Sequence, residues 1–164
     1  MLIIFSGLSG VGKTSIARAL ATAAGALHLR IDSIEQALRG CGWTVEGEGY
    51  AVAYAVAEDN LRLGRIVIAD SVNPWPLTRD AWRAVATRAG VRAIEIEIVC
   101  PDTEIHRRRV ESRVSDIPGH TVPSWREVIE RDYRPWDRDR LIIDGATLDV
   151  QQSVQAIIAA MRGL

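Results

Sequence analysis

The sequence predicts an α/β fold of three layers, a five-stranded parallel sheet flanked by helices, within a single domain over residues 1–164. Three observations predict it. Apolar runs of strand length alternate with helical patterns along the whole chain. The runs at residues 1–5 and 66–69 are continuously apolar, as strands covered on both faces are. Two runs lead into a carboxylate, Asp32 and Asp70, and open parallel sheets gather their ligands beyond the carboxyl ends of their strands.

The elements follow in order. After the strand MLIIF, the residues Ile16, Ala17, Ala19, Leu20 and Ala23 make a helical stripe that stops at Gly25. Residues 26–31 read as a second strand, 33–38 as a helix stopped by Gly40 and Gly42, and 50–63 as a helix closed by Gly64. Residues 65–70, RIVIAD, form the third strand, followed by a helix over 76–89. In residues 91–99 isoleucines alternate with Glu95 and Glu97, the pattern of a half-exposed strand near a sheet edge. An arginine-rich helix over 102–114 leads into a mobile loop over 115–123 that contains Pro118, Gly119 and Pro123. A helix over 124–132 opens with Ser124 and Glu127 at capping-box spacing. Residues 140–144 are the last strand and 150–161 the closing helix.

The turn after the first strand is GLSGVGKT, Gly7 to Thr14. It fits G-x-x-x-x-G-K-[ST], with the buried strand before it and the helix after it that this phosphate loop requires. The expected fold is thus a P-loop NTPase. Backbone N–H groups of Gly7, Leu8, Ser9, Gly10, Val11 and Gly12 would cradle phosphates, joined by Lys13, Thr14 and Ser15 at the helix N-terminus. Lys13 would reach the β- and γ-phosphates of ATP, and the Thr14 hydroxyl would ligate Mg²⁺.

Other polar residues fall on the same rim. Asp32 stands where a carboxylate could take or orient the proton of an attacking hydroxyl. With Ser33 and Glu35 after it, Asp32 also suits a helix N-cap. Asp70 closes an apolar strand in the Walker-B manner and would hold the metal with Thr14. Arg109 and Arg113 are four apart and so share one helical face. Paired arginines suit the equatorial oxygens of a phosphoryl group in transfer, and residues 107–123 then read as a lid. Arg109 would touch nucleotide as well as transferring phosphate. Of the five tryptophans, Trp82 reads as core and the rest lie in or beside loops. His28, His106 and His120 find no nucleophile partner and read as structural or surface residues.

Composition narrows the partners. Net charge is −1, with 20 basic and 21 acidic side chains, so no overall field favours nucleic acid or an anionic membrane. Cys41 and Cys100 form no metal-ligand spacing and read as reduced thiols. No apolar run spans a bilayer, and the chain enters a core strand with no leader before it, so a cytoplasmic protein is expected.

The stretches GLSGVGKTSIARAL, RIDSIEQAL, IVIADSVNPWPLTRDAW and VCPDTEIHRRRVESR together resemble a group of small P-loop kinases. The group includes chloramphenicol phosphotransferase, zeta toxin, gluconate kinase, adenylylsulfate kinase and polynucleotide kinase. The likeness is strongest to small bacterial kinases of the AAA-type ATP-binding family. It implies a kinase-type P-loop fold with a small lid, and an acceptor hydroxyl contacted by Asp32. A D-x-x-N-x5-R pattern is matched by Asp70, Asn73 and Arg79, which would place Asn73 and Arg79 at the substrate. A lid pattern R-x-x-x-R is matched by Arg109 and Arg113. The residues after Asp32 lack the arginine with which several relatives grip an anionic acceptor.

Guanine-specific motifs are absent and a motor would need further domains, which leaves a kinase as the expectation. Its reaction would be ATP-dependent phosphorylation of a hydroxyl on a small molecule of the antibiotic, sugar or nucleotide-sugar class, by a monomer or homodimer. The alternatives are a 5′-hydroxyl polynucleotide kinase and a nucleotide-binding regulatory protein.

Overall fold

The computed structural model describes residues 1–163. Five strands, β1 (Leu2–Ser6), β2 (Leu27–Arg30), β3 (Val67–Asp70), β4 (Ala93–Val99) and β5 (Leu141–Asp144), form one sheet. The order is β2-β3-β1-β4-β5, and every neighbouring pair is parallel. The helices are α1 (Lys13–Ala24), α2 (Ile31–Gly40), α3 (Glu48–Arg62), α4 (Pro76–Arg88), α5 (Thr103–Glu111), α6 (Trp125–Ile129) and α7 (Val150–Arg162).

Strand side chains point alternately to the two faces, so β1 serves both helical layers at once. Ile3 and Phe5 pack with Ile16, Leu20, Val154 and Ile157 of α1 and α7. Leu2 and Ile4 pack with Ala53, Leu61, Trp82 and Val85 of α3 and α4. All five β1 residues are buried, which is why the run shows no alternation. The chain moves outward from β1 to β2, returns to β3, then crosses β1 to lay down β4 and β5. Because these strands are parallel, the carboxyl ends of β1, β2 and β3 share one rim. Among the described residues, no helix is long and apolar enough to cross a membrane.

Three expectations need correction. β4 is interior, between β1 and β5, although its acids alternate with isoleucines. Glu95 and Glu97 face an arm over residues 133–140 instead of water. Arg138 donates to Glu95 from Nε at 3.0 Å and Nη2 at 3.1 Å, while Arg140 Nη2 donates to Glu97 at 2.8 Å. The Tyr133 hydroxyl donates to Glu97 at 2.9 Å. A buried face closed by ion pairs has the same period-two charge pattern as a solvated one, and only the covering segment separates them. Second, α5 stops at Glu111, so Arg113 lies beyond the helix and shares no helical face with Arg109. Third, α2 starts at Ile31 with Arg30 at the cap position, so Asp32 lies inside the first turn and is not the cap. The capping box of α6 is present with both of its hydrogen bonds, though that helix ends at Ile129.

Candidate active site

The phosphate loop is shaped by backbone that only glycine tolerates. Gly7 has φ 131°, and a Cβ there would lie 2.2 Å from the Ile98 carbonyl oxygen of β4. Gly10 has φ 87°, and its Cβ would meet the Val110 side chain at 2.5 Å. The loop is braced from α5, where the His106 ring donates from Nε2 to the Ser9 carbonyl at 2.8 Å. That ring stands edge-on to Trp125 with centroids 5.1 Å apart. Lys13 is buried, and its Nζ donates to the Leu8 carbonyl at 2.7 Å. Burial pushes its ammonium down to about 8, opposed by the charges of Asp70 and Asp32 and reinforced by Arg113 and Arg131.

Asp70 ends β3 beside this lysine with 3% of its surface exposed. His28 of β2 donates from Nε2 to its Oδ2 at 3.1 Å, and the Thr14 side chain lies close to it. Burial raises the Asp70 carboxyl, but the His28 hydrogen bond, Lys13 and Thr14 together hold it below the usual carboxylate range. A hydroxyl and an ionised carboxylate meeting at a phosphate loop are hard oxygen donors that fit Mg²⁺, which takes one or two protein ligands and completes its shell with phosphate and water. No group of three or more His, Cys, Asp or Glu side chains fit to hold a metal occurs among the described residues. Sequence reasoning left His28 aside. The pairing of β2 with β3, which puts it next to Asp70, is not visible in either strand alone.

Two grooves of about 580 Å³ each meet at the loop. The first runs along Gly10–Ile16 and is lined by Arg18, Arg30, Arg109, Arg113 and Gly145. The Arg109 guanidinium donates to the Gly145 carbonyl at 2.8 Å. The second is lined by Asp32, Glu35, Tyr50, Trp75, His120 and Arg131, among others. Arg113 lines both. Arg109 and Arg113, separated by the end of α5, are thus brought to the same groove. Arg131, from the turn after α6, was not foreseen.

The loop between α5 and α6 carries no regular structure and is tied down at Asp116. That carboxylate accepts from Arg18 of α1 and from Arg30 at the end of β2, the latter at 2.9 Å. Arg18 first, then Arg30, holds its carboxyl well below the ordinary range.

Asn73 and Arg79, expected at the substrate, line neither groove. Asn73 is fully buried at φ 46° and donates from Nδ2 to the Phe5 carbonyl at 2.8 Å, stitching the end of β1 to the segment after β3. Arg79 is fully buried too. Its Nε and Nη2 donate to the carbonyls of Asn73 at 2.9 Å and Arg134 at 2.8 Å, with longer bonds to Pro74 and Pro135 at 3.2 Å. Its guanidinium lies 4.2 Å from the Trp136 ring centre. Both residues tie together loop backbone beside the site.

A profile of the family described as "AAA domain" matches residues 2–131, a stretch that contains the phosphate loop, Asp32, Asp70, Arg109 and Arg113. The chain belongs to this AAA domain family. No curated protein is detectably similar in sequence. Solved structures carry the same fold as this AAA domain. A candidate kinase from Chloroflexus aurantiacus j-10-fl superposes with a TM-score of 0.77 at 23% identity, covering 99% of this chain and 96% of that one. The Mycobacterium tuberculosis APS kinase CysC, solved with AMPPNP and APS, gives a TM-score of 0.73 at 19% identity over 98% and 96% of the two chains. A gluconokinase from Sinorhizobium meliloti 1021 gives 0.63 at 20% identity over 97% and 90%. At these identities the likeness is one of fold.

Two predictions follow from the geometry of this AAA domain. Arg79→Met leaves buried carbonyls unpaired and lowers stability by about 3 kcal/mol, while nucleotide affinity of the folded protein stays unchanged. Urea midpoints and calorimetric titration measure the two effects. An unchanged midpoint with lost turnover would return Arg79 to the substrate.

The second concerns Lys13. Between pH about 8 and the 10.5 of a free lysine, the unfolded chain binds a proton there that the folded apoprotein has released. Rising pH through that window therefore stabilises the apoprotein. Phosphates supply a counter-charge and reverse the shift, so nucleotide binding near pH ~9 takes up about one proton. Titration calorimetry in two buffers of different ionisation enthalpy measures the uptake, and none in the wild type would separate Lys13 from the phosphates.

Proposed function

We propose that this domain transfers the γ-phosphoryl group of Mg-ATP to a hydroxyl group of a small molecule held in the second groove. One observation carries the reading. The two grooves meet at the phosphate loop, with Asp32 lining one, Lys13 the other, and Arg113 both. A nucleotide in the first would direct its terminal phosphate towards an acceptor in the second.

Lys13 would exchange its Leu8 carbonyl for β- and γ-phosphate oxygens. Thr14 and Asp70 would hold Mg²⁺, which when bound supplies charge neutralisation across those same phosphates. Asp32 would accept the hydroxyl proton as the acceptor oxygen bonds to the γ-phosphorus and the bridge to ADP breaks. Arg109 and Arg113 would bear on the transferring group, where charge is redistributed in the transition state. Tyr50 and Trp75 give the acceptor groove aromatic surface, and Trp75, 45% exposed, is open to stacking with a ring.

The groove's charges favour a small molecule over a polynucleotide. Asp32, Glu35, Glu46 and Glu127 stand against Arg39, Arg113 and Arg131, so no basic track exists for a phosphate backbone. The kinase-type fold neighbours include enzymes named for APS and gluconate, which supports the small-molecule class without selecting a member of it.

The division of labour between the acids gives the test. Asp32→Asn should bind Mg-ATP within about twofold of wild type and lose transfer by on the order of a hundredfold or more. Asp70→Asn should instead raise the Mg²⁺ concentration needed for turnover. Transfer of label from γ-labelled ATP to pooled hydroxyl-bearing metabolites, sugars and antibiotics identifies the acceptor. Nucleotide binding lost first in Asp32→Asn, or label passing only to water across the whole pool, would overturn the reading.

A further inference from the structure

Arg30 is the last residue of β2, and 4% of its side chain is exposed. Arginine remains charged throughout the range in which proteins fold, and a charge removed from water is costly unless it is paired and hydrogen-bonded. Only part of this guanidinium is served. Nη1 donates to Asp116 Oδ1 at 2.9 Å and Oδ2 at 3.0 Å, whereas Nε and Nη2 are buried with no hydrogen-bond partner. A second carboxylate stands close by, with Asp32 Oδ2 3.9 Å from Nε, beyond hydrogen-bond range. One buried cation therefore faces two carboxylates. Asp116 comes from the loop between α5 and α6, and Asp32 from the acceptor groove.

We propose that Arg30 is a positioning residue shared between these two acids, and that Asp116, by holding it, keeps Asp32 free for the acceptor hydroxyl. The inference rests on the assignment of Asp32 to the acceptor. When the loop withdraws and takes Asp116 with it, the guanidinium loses its counter-charge while still out of water. Asp32 is then the carboxylate within reach, and a side-chain rotation closes the gap. A carboxylate bound to a guanidinium is a weaker proton acceptor, and its oxygen is turned towards the strand end, away from the groove. The same loop supplies Arg113 to both grooves and residues 119–123 to the acceptor wall. Docking of the loop thus completes the acceptor groove and releases Asp32 in one movement, and an open groove leaves Asp32 captured. Turnover of ATP towards water is restrained in the open state by this capture.

Asp116→Asn is the direct test, since 42% of the Asp116 side chain is exposed and the amide keeps its shape. A crystal structure of the variant should show Arg30 Nε and Asp32 Oδ2 drawn together from 3.9 Å to about 2.9 Å. An unchanged gap, with Asp32 still facing the groove, overturns the inference. Turnover is read as phosphate release from Mg-ATP with water in the acceptor's place. It should fall about tenfold or more in Asp116→Asn, with KM for ATP within about twofold, and fall no further when Asp116→Asn is added to Asp32→Asn. A purely structural role for Asp116 would cost turnover equally in both backgrounds and would overturn this inference alone. Wild-type turnover in Asp32→Asn by itself would overturn the acceptor assignment and this inference together.

If Asp116→Asn does not fold, the double variant Arg30→Gln/Asp116→Asn carries no unpaired buried charge. Its turnover should still depend on Asp32, falling about tenfold or more when Asp32→Asn is added, because Asp32 has no captor. A double variant as slow as Asp32→Asn would overturn the proposal.

Discussion

The ammonium group of Lys13 is held inside the protein at the carboxyl end of the sheet, and much of the surrounding architecture answers to that buried charge. It is placed there by a turn that only glycine can make, with Gly7 pressed against the Ile98 carbonyl of β4. The turn in turn depends on β1 lying between β3 and β4. The Gly7 N–H donates to the Val72 carbonyl at 3.1 Å and Asn73 donates to Phe5, so the segment after β3 and the start of the loop are set as one unit. Acids and arginines are then distributed around the lysine. Asp70 and Asp32 favour its charge, and Arg113 and Arg131 oppose it. Such a site is a poor home for an ammonium alone and a good one for an ammonium beside a polyphosphate, which satisfies the lysine and the arginines together.

Arginine shows in this protein how little a residue type says about its role. Arg79, Arg138 and Arg140 donate to backbone carbonyls or carboxylates of neighbouring segments, so they act as struts. Arg109 and Arg113 stand at the groove. Arg30 is buried like the struts but keeps unpaired donors. Native interiors rarely leave charged donors unpaired. A buried cation with one firm partner and a second at the edge of reach is an arrangement with two low-energy forms.

The loop between α5 and α6 connects these features. It provides Arg113, anchors through Asp116, and walls the second groove with residues 119–123. Its anchor at Asp116 is polar, and polar anchors of this kind release at smaller cost than a packed core does. A segment that must open for ligands and close around them needs that property.

The phosphate loop, the five strands, the acid that ends β3 and the acid just past the end of β2 were legible in the sequence because each is a local matter. A glycine-rich turn, an apolar run and a carboxylate at its end are determined by residues within a few positions of one another. The capping box of α6 was legible for the same reason. The interior place of β4, the structural work of Asn73 and Arg79, the His28–Asp70 contact and the sharing of Arg30 were not. Each depends on which strand lies next to which, or on what a distant segment covers. Glu95 and Glu97 show the reason. Their alternation is the same whether the opposite party is water or Arg138 and Arg140. By itself the sequence determined where charge lies along each element. Only the tertiary structure decided which charges are buried together, because burial and pairing are properties of packed neighbours and not of the strand that carries them.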